Sequence, residues 1–409
     1  MSRERLTFLA ALIAVGLSSS AVLLSHIATP PLQTDELGWI ASSYYYTDLL
    51  VGRDSDWERW EGAHLENFGS MNPHLGQWMI GLPLAIEPTQ TRSAFFTVYS
   101  ADLSPASGIV PPLEVLLAAR RTSAAYGVLC CLVVFVLGYA VGNIWIGGLS
   151  AFLLLANPLF VKIATTALTD IHYNLFLACL GAAALLLVLD RYRKRLLPAA
   201  GVCGVLTGLV CSVKILGILV GTLLFLSVLV YRRAAAGLEN RRAIRCLLIF
   251  WGSALSVVYL LNPYYWPLQS RFSHLLEFPQ LFRRWHWLQV RQEMLPVSSW
   301  HGNRLWTLHE RLFIDLASFR FEWMFLIAGA VVCSRKIARA ARMRQTSAWS
   351  VPLLCFLANY FILLALVRLN WDRYYLPAVI AGRTLAAAGI YEIVTESWRR
   401  LQPRLTWSG

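Results

Sequence analysis

Charged residues are scarce in this sequence. Asp, Glu, Lys and Arg make up 14% of its 409 residues, whereas hydrophobic residues make up 57%. The mean hydropathy is +0.54, and apolar runs of about 18 to 22 residues, the length that spans a bilayer as a helix, recur along the chain. A soluble core does not need this much apolar surface, so the composition excludes an ordinary soluble domain.

Cysteines outside the apolar runs are also lacking. All eight cysteines lie within or at the ends of those runs, at positions 130, 131, 179, 203, 211, 246, 333 and 355, and no CxxC pair occurs. This placement excludes a disulfide framework in the loops and a cysteine zinc site. It is typical of small residues that pack in a core.

Signatures of several enzyme classes are missing. The sequence has no P-loop, no GxGxxG after a strand, no HExxH helix and no GxSxG turn. Without a nucleotide cradle, we expect substrates that are not nucleotide-activated. The net charge of +13 does not indicate nucleic-acid binding, because the basic residues form short clusters between apolar runs, where they commonly orient membrane proteins.

Ten apolar runs predict an all-α polytopic membrane protein in which residues 1–409 form a single transmembrane domain. The runs are 7–28, 121–142, 144–161, 171–189, 197–213, 215–231, 244–262, 321–334, 349–367 and 374–394. The first run could also be a signal peptide, since arginines precede it and small residues occupy 18–20. Its length of about 20 residues favours a retained helix.

Lys and Arg are distributed unevenly between the two sides of these predicted helices. Nineteen lie in the segments that share the N-terminal side, which are 1–5, 190–197, 231–245, 335–345 and 397–409. The short connections on the opposite side hold four. Because positively charged loops stay in the cytoplasm, this asymmetry predicts a multi-pass protein of the cell membrane with both termini cytoplasmic.

Two long loops, 29–119 and 263–320, are then expected on the extracytoplasmic side. The first holds eleven acidic residues and the second holds seven arginines, so the two loops could form a cleft between them. Segments 37–50, 75–86 and 272–290 have apolar and aromatic residues at helical spacing. This spacing predicts amphipathic helices along the membrane interface, and long loops of this kind are usually functional.

An acidic pair, Asp35 and Glu36, follows the first predicted span and the helix-ending segment TPPLQT (29–34). Adjacent carboxylates at a membrane surface are suited to acid/base chemistry on a polar substrate. The alternative is helix capping, in which Thr34 or Asp35 begins a surface helix and the acids stabilise its first turn. The two residues alone leave both interpretations open.

Two further polar residues lie near the same predicted surface. His74, in NPHLGQWMIG (72–81), could donate to a phosphate or a substrate hydroxyl, or could lie at the level of the lipid headgroups. Asp170 opens the fourth span in LTDIHYN (168–174), where an acid is costly unless water or a cation meets it. The alternative for Asp170 is an N-cap. No metal-ligand spacing stands out, so no metal site is predicted and a divalent cation is left open as a cofactor.

Several cations lie at the outer ends of the predicted spans, against the charge bias that orients the protein. They are Arg120, Arg121, Lys214, Arg368 and Arg373. Each could extend its side chain to the membrane surface. As a set they indicate an anionic headgroup as a ligand, because Arg can grip a phosphate with two N–H groups and Lys can act as a point charge.

Several short motifs occur in the order found in a known family. They are the acidic pair, NPHLGQWMIG, the Arg in RRTSAAYGVLCCLVVFVLGYAVG (120–142), the Asp in TALTDIHYN (166–174), TGLVCSVKILG (207–217), NPYYWP (262–267) and RYYLP (373–377). With these motifs the sequence resembles the GT-C glycosyltransferases. The most similar branch is the family 39-like one that contains the protein O-mannosyltransferases and the aminoarabinose transferase of lipid A.

The resemblance implies a hexosyl or pentosyl transferase that uses a polyprenyl-phosphate sugar donor from the membrane. The acceptor would be a protein, lipid or glycan on the extracytoplasmic face, reached by an inverting displacement. The implied roles are a general base at Asp35 with Glu36 beside it, donor phosphate ligands at Arg121, Lys214 and Arg373, and a substrate cavity lined by His74 and Asp170.

The alternative function is a transporter or flippase of a lipid-linked sugar or another anionic lipid. Such a protein would share the outward cations but would need polar residues near the centres of its spans. The predicted spans are almost bare there apart from Arg383, which favours the enzyme.

Overall fold

The computed structural model describes residues 2–33, 35–40, 43, 75–86, 110–189, 195–262, 304–367 and 371–405, and regular structure within these ranges is helical. The helices are α1 (Arg3–His26), α2 (Leu75–Ile86), α3 (Leu113–Val141), α4 (Ile144–Leu155), α5 (Pro158–Ala164), α6 (Asp170–Val188), α7 (Leu196–Val213), α8 (Gly217–Ala236), α9 (Asn240–Leu261), α10 (Arg304–Glu310), α11 (Glu322–Arg342), α12 (Ser350–Ala365) and α13 (Asp372–Leu405). A π-helical turn, Arg311–Asp315, follows α10, and residues 35–40 are helical.

Seven of these helices are long and apolar enough to cross a membrane: α1, α3, α6, α7, α8, α9 and α13. An eighth crossing results if α4 and α5, which meet at an angle of 71°, count as one broken span. The protein is therefore an all-α polytopic membrane protein. Ten spans, as predicted, are not confirmed by helix length and composition in the described part of the chain.

Two helices extend beyond the apolar runs that predicted them. The predicted second span starts at residue 121, but α3 starts at Leu113, so Arg120 and Arg121 lie two turns inside the helix. The predicted eighth span ends at residue 334, whereas α11 continues to Arg342 through a run of basic residues. Charge ends an apolar run in the sequence without ending the helix, because Arg and Lys are good helix formers.

The run 144–161 is one predicted span but two helices in the structure. The break follows Leu155, and Asn157 caps the new helix by accepting a hydrogen bond from the Phe160 amide at 3.0 Å. Pro158 occupies the first position of α5, where its missing N–H has no cost. The Asn-Pro pair therefore ends one helix and starts the next in a new direction.

Helix α6 lies at the centre of the bundle. Of its most apolar stretch 72% is buried by other parts of the protein, compared with 11% for α1, which lies at the periphery. Neighbours of α6 include α3, α7 and α8. The first residue of α6, Asp170, is consequently surrounded by protein rather than lipid.

Glycines allow helices to approach closely at two interfaces. Between α11 and α13, a Cβ at Gly329 would overlap the carbonyl of Leu385, and one at Gly389 would overlap the carbonyl of Phe325. Between α7 and α9, a Cβ at Gly204 would overlap a backbone carbonyl of α9 in the same way. Small residues at such contacts are the usual basis of helix association in a bilayer, where burial of apolar surface gives little driving force.

A buried ion pair connects α13 to α11. Arg383, in the middle of α13, pairs with Glu322, the first residue of α11. Glu322 also accepts a hydrogen bond from the Ser318 amide at 2.5 Å. Arg383 donates to the Leu316 carbonyl at 3.4 Å, and Asn157 donates to the same carbonyl at 2.8 Å. The isolated charge of the sequence is thus neutralised inside the fold.

We expect this ion pair to respond differently to single and double substitution. Glu322→Leu leaves the guanidinium of Arg383 buried without its carboxylate, which costs about 3–5 kcal/mol. The Tm of the purified protein in detergent should fall accordingly. The double variant Glu322→Leu/Arg383→Met retains neither charge, so most of that loss should be recovered. The single variant Arg383→Met is measured as well. If the fall in Tm of the double variant equals the sum of the falls in Glu322→Leu and Arg383→Met, the pairing is contradicted.

Candidate active site

Both carboxylate oxygens of Glu36 accept hydrogen bonds from other parts of the protein. Its side chain is 0% exposed. Arg120 of α3 donates from Nε to Glu36 Oε1 at 2.8 Å and from Nη2 to Oε2 at 2.7 Å. The Ala167 amide donates to Oε1 at 2.7 Å, and the Gln33 amide donates to Oε2 at 3.1 Å. Four N–H groups occupy both carboxylate oxygens of Glu36, which suits a structural role better than proton abstraction.

Arg120 also fastens the segment that leaves α1. Its Nη1 donates to the carbonyls of Ile27 and Pro30 at 3.0 Å each, and its Nη2 donates to that of Pro31 at 3.4 Å. The contact from Glu36 back to the Gln33 amide is that of a capping box. Glu36 thus makes a capping contact, although the alternative interpretation of the acidic pair placed the cap at Thr34 or Asp35.

Asp35 points to a different partner. It forms an ion pair with Nη1 of Arg373, at the start of α13, across 338 residues of sequence. The Asp35 side chain is 42% exposed, so a polar molecule can approach it. The Arg373 guanidinium lies 4.5 Å from the ring centre of Trp371 and 5.8 Å from that of Tyr374. The two rings therefore restrain the guanidinium of Arg373, which also pairs with Asp35.

A second acid and cation meet beside the first. Lys214, between α7 and α8, donates from Nζ to Oδ1 of Asp170 at 2.5 Å. Asp170 is buried, and its other oxygen, Oδ2, has no hydrogen-bond partner in the described part of the chain. Lys214 Nζ also lies 5.8 Å from the ring centre of Tyr374. Asp170 therefore uses its carboxylate on Lys214 rather than as an N-cap of α6.

The two ion pairs influence each other electrostatically. Burial lowers the pKa of Lys214 from its ordinary value, and Asp170 opposes this shift most strongly. Arg373 lowers the pKa of Lys214 further, whereas Asp35 raises it. Asp35, Asp170, Lys214 and Arg373 therefore form one cluster, which we call the acid–cation cluster.

Arg311 lies next to the acid–cation cluster, in the π-helical turn. It pairs with Asp315 at 3.1 Å and with Asp372, the neighbour of Arg373 in sequence. Burial alone would lower the pKa of Arg311, but the hydrogen bond to Asp315 and the charge of Asp372 raise it. Isolated π turns are often found at functional sites. This one ties residues 311–315 to the start of α13.

The structure brings together four of the residues predicted for the site, namely Asp35, Asp170, Lys214 and Arg373. Arg121 is exposed on α3, and its neighbour Arg120 is the buried one. The phosphate-binding role of Arg121 stays a prediction. His74 and Arg368 lie outside the described residues.

Sequence reasoning missed the positions of Arg311 and Asp372 beside the site. The available signals were the excess of arginine in 263–320 and the acid that precedes RYYLP (373–377). Within the described ranges, no group of three or more His, Cys, Asp or Glu side chains is placed to hold a metal ion.

Sequence comparison does not assign the chain to a family. No family model and no curated protein matches it. Structural comparison does find similar proteins, and the chain spans less than two thirds of the length of each one described below.

ArnT from Cupriavidus metallidurans, solved with undecaprenyl phosphate bound, matches with a TM-score of 0.60 and 14% identity, over 96% of this chain and 62% of ArnT. The archaeal oligosaccharyltransferase AglB from Archaeoglobus fulgidus, in complex with an inhibitory peptide and a dolichol-phosphate, matches with a TM-score of 0.54 and 13% identity, over 96% and 52% of the two chains. The apo form of the Archaeoglobus fulgidus oligosaccharyltransferase matches with a TM-score of 0.59, 13% identity and the same coverage. The chain therefore shares the fold of these ArnT and oligosaccharyltransferase structures.

Proposed function

We propose that the protein is a glycosyltransferase that moves a sugar from a polyprenyl phosphate to an acceptor on the extracytoplasmic face of the membrane. The observation that carries this proposal is the acid–cation cluster, in which two carboxylates meet two cations at one end of a GT-C helix bundle. The cations suit a lipid phosphate, and an acid suits the proton of an acceptor. The undecaprenyl phosphate and dolichol-phosphate in the ArnT and AglB structures support this ligand class.

Asp35 is the residue best placed to act as the general base. Its carboxylate is partly exposed, whereas those of Glu36 and Asp170 are buried. In the proposed reaction Asp35 takes the proton of the acceptor hydroxyl or amine as the acceptor atom bonds to C1 of the sugar. The bond from C1 to the phosphate oxygen breaks, its electron pair stays on that oxygen, and the single displacement inverts C1.

Lys214 and Arg373 would stabilise the departing phosphate. Both cations are half-buried, and a fixed positive charge that is partly shielded from solvent acts more strongly on developing negative charge than it would in water. Arg can bind two phosphate oxygens at once, and Lys adds a point charge. Asp170 holds Lys214 in place through its Oδ1.

The ion pair between Asp35 and Arg373 gives the reaction an order. While the pair is closed, the guanidinium of Arg373 occupies a carboxylate oxygen of Asp35. A lipid phosphate competes with Asp35 for the guanidinium, and its arrival releases the carboxylate to accept a proton. The base therefore becomes effective once the donor is bound.

Glu36 and Arg120 would act as positioning residues. Arg120 holds the carbonyls of Ile27 and Pro30, which precede Asp35, against α3. Glu36, which follows Asp35, is held by the Ala167 amide in the turn before α6. A base must lie within hydrogen-bond reach of its proton, so an error of about 1 Å is costly. The sugar transferred would be a hexose or pentose, and the acceptor a protein, lipid or glycan.

The first test compares Asp35→Asn with Asp315→Asn. Both carboxylates bind an arginine and are similarly exposed, at 42% and 41%. Membrane vesicles receive undecaprenyl phosphate carrying a radiolabelled hexose or pentose, and label transferred to acceptor is counted. Asp35→Asn should lower the rate by about 10²–10⁴-fold, the usual contribution of a general base, and Asp315→Asn should retain it within a few fold.

Equal transfer by the wild type and Asp35→Asn would rule out Asp35 as the base. A wild type that transfers no label from any of these donors would contradict the proposed function. Movement of the intact donor across the membrane without transfer would indicate a flippase.

The second test uses the lowered pKa of Lys214. Below its pKa the ammonium is charged and stabilises the phosphate, so transfer should fall as the pH rises through that lowered pKa. Lys214→Arg keeps its charge to a higher pH, and its pH–rate profile should retain activity further into the alkaline range. Profiles with the same alkaline limb would show that Lys214 does not set this pH dependence.

The third test concerns the side of the membrane. A cysteine introduced by Trp60→Cys, in the loop 29–119, should react with an impermeant thiol reagent applied to intact cells. The eight native cysteines provide a background that is measured in the unmodified protein. Labelling of the new cysteine only after lysis would place the loop in the cytoplasm and overturn the proposed orientation.

A further inference from the structure

Helix α2 lies directly against the acid–cation cluster. A Cβ added to Gly76 would lie 2.7 Å from Cγ2 of Thr169 and 3.2 Å from Cγ1 of Val213. These two residues immediately precede Asp170 and Lys214, respectively. The absence of a side chain at position 76 therefore allows the first turn of α2 to pack against the residues that precede the two members of the Asp170–Lys214 ion pair.

Several buried polar atoms in the first turn of α2 and at the start of α6 have no partner in the described part of the chain. They are Nε2 and Oε1 of Gln77, Nε1 of Trp78, Oγ1 of Thr169 and Oδ2 of Asp170, which we call the α2–α6 polar cluster. Gln77 and Thr169 are 0% exposed. A buried polar group without a partner is costly, so a group of them calls for water or a ligand that supplies the missing hydrogen bonds.

The chemistry of the α2–α6 polar cluster narrows the class of ligand. The amide of Gln77 offers donors and an acceptor, the indole of Trp78 a donor, the hydroxyl of Thr169 both, and Oδ2 of Asp170 an acceptor. An anion would need donors alone, and a cation would need acceptors alone. A mixture of donors and acceptors matches hydroxyl groups, each of which donates one hydrogen bond and accepts others.

The position of the cluster matches the same ligand. Oδ2 of Asp170 belongs to the carboxylate whose Oδ1 binds Lys214, one of the two proposed phosphate ligands. In a polyprenyl-phosphate sugar, one oxygen atom joins the phosphorus to C1 of the sugar. A phosphate held by Lys214 and Arg373 would therefore place its sugar within a few ångströms of Lys214, the residue that Asp170 binds.

We infer that the α2–α6 polar cluster binds the hydroxyl groups of the transferred sugar and thereby discriminates a glycosylated lipid phosphate from a bare one. This inference rests on the proposed function, because it deepens the donor half of the same site. Gln77 and Thr169 are the specificity-determining residues. Since both are closed off from solvent, admission of the sugar requires α2 to shift or the Gln77 side chain to rotate.

The test measures two dissociation constants on the purified full chain in lipid nanodiscs. The probes are undecaprenyl phosphate and undecaprenyl phosphate carrying one hexose or pentose. The variants are Gln77→Leu and Thr169→Val, which remove polar atoms with little change in volume. Thr207→Val is the matched control, because Thr207 is also completely buried with an unpartnered hydroxyl but packs against Gly221 of α8.

Wild type should bind at least one glycosylated probe more tightly than undecaprenyl phosphate. Gln77→Leu and Thr169→Val should each weaken that probe about tenfold, the value of one hydrogen bond of about 1.4 kcal/mol, and should leave undecaprenyl phosphate unchanged. Thr207→Val should leave both constants unchanged. A thermal unfolding curve for each variant identifies any that fails to fold, and Gln77→Met, which also lacks the amide, then replaces Gln77→Leu.

Three results would overturn the inference. The first is that Gln77→Leu and Thr169→Val weaken the binding of both probes equally. The second is that Thr207→Val weakens the binding of the glycosylated probe as much as they do. The third is that wild type binds no glycosylated probe more tightly than undecaprenyl phosphate. Failure of the proposed function has a different signature, which is wild-type protein that neither binds undecaprenyl phosphate nor transfers label. If wild type transfers sugar while the variants keep its discrimination, the inference alone is wrong.

Discussion

A charge buried in a helix bundle within a membrane must be neutralised where it lies, and much of this structure follows from that constraint. In surroundings of low dielectric, an unpaired ion would cost several kcal/mol. Arg120 therefore draws Glu36 against α3, Lys214 draws the start of α6 against the end of α7, and Glu322 draws α11 against α13 at Arg383. Each pair joins segments far apart in sequence, so a few charges pin the arrangement of otherwise uniform apolar helices.

The same constraint divides the site into parts that do different work. The pair of Glu36 and Arg120 is closed and fully hydrogen-bonded, which makes it rigid. The pair of Asp35 and Arg373 is partly exposed, so a competing anion can open it. Two acids that are adjacent in sequence thus differ in exposure and in partner, and only one of them remains available to a substrate.

The sequence was sufficient to predict the fold class and four members of the acid–cation cluster. Asp35, Asp170, Lys214 and Arg373 could be grouped because each lies at a span end, and span ends on one side of a membrane share a surface. That inference needs the order of the spans alone. It does not need the rotation of any helix about its axis, which sequence reasoning had no means to obtain.

Rotation explains what could not be predicted. Arg120 and Arg121 differ by one residue, which is about 100° around a helix, and the packing of α3 in the bundle decides which of them is buried. Arg120, which pairs with Glu36, is 84 residues away in sequence. Glu36 also accepts a hydrogen bond from a backbone amide, that of Ala167. The broken span at Asn157 was visible as an Asn-Pro pair, but its angle of 71° depends on the helices around it.

The contact between Asp35 and Arg373 can form only late in biosynthesis, because 338 positions separate the two residues in sequence. A ribosome delivers Asp35 to the membrane early and Arg373 only after α12 has been made, so the acidic residue waits without its partner while the intervening helices insert. During that interval Asp35 must remain hydrated at the bilayer surface. Arrival of α13 closes the ion pair, so this end of the bundle is assembled only when the last described helix has been made.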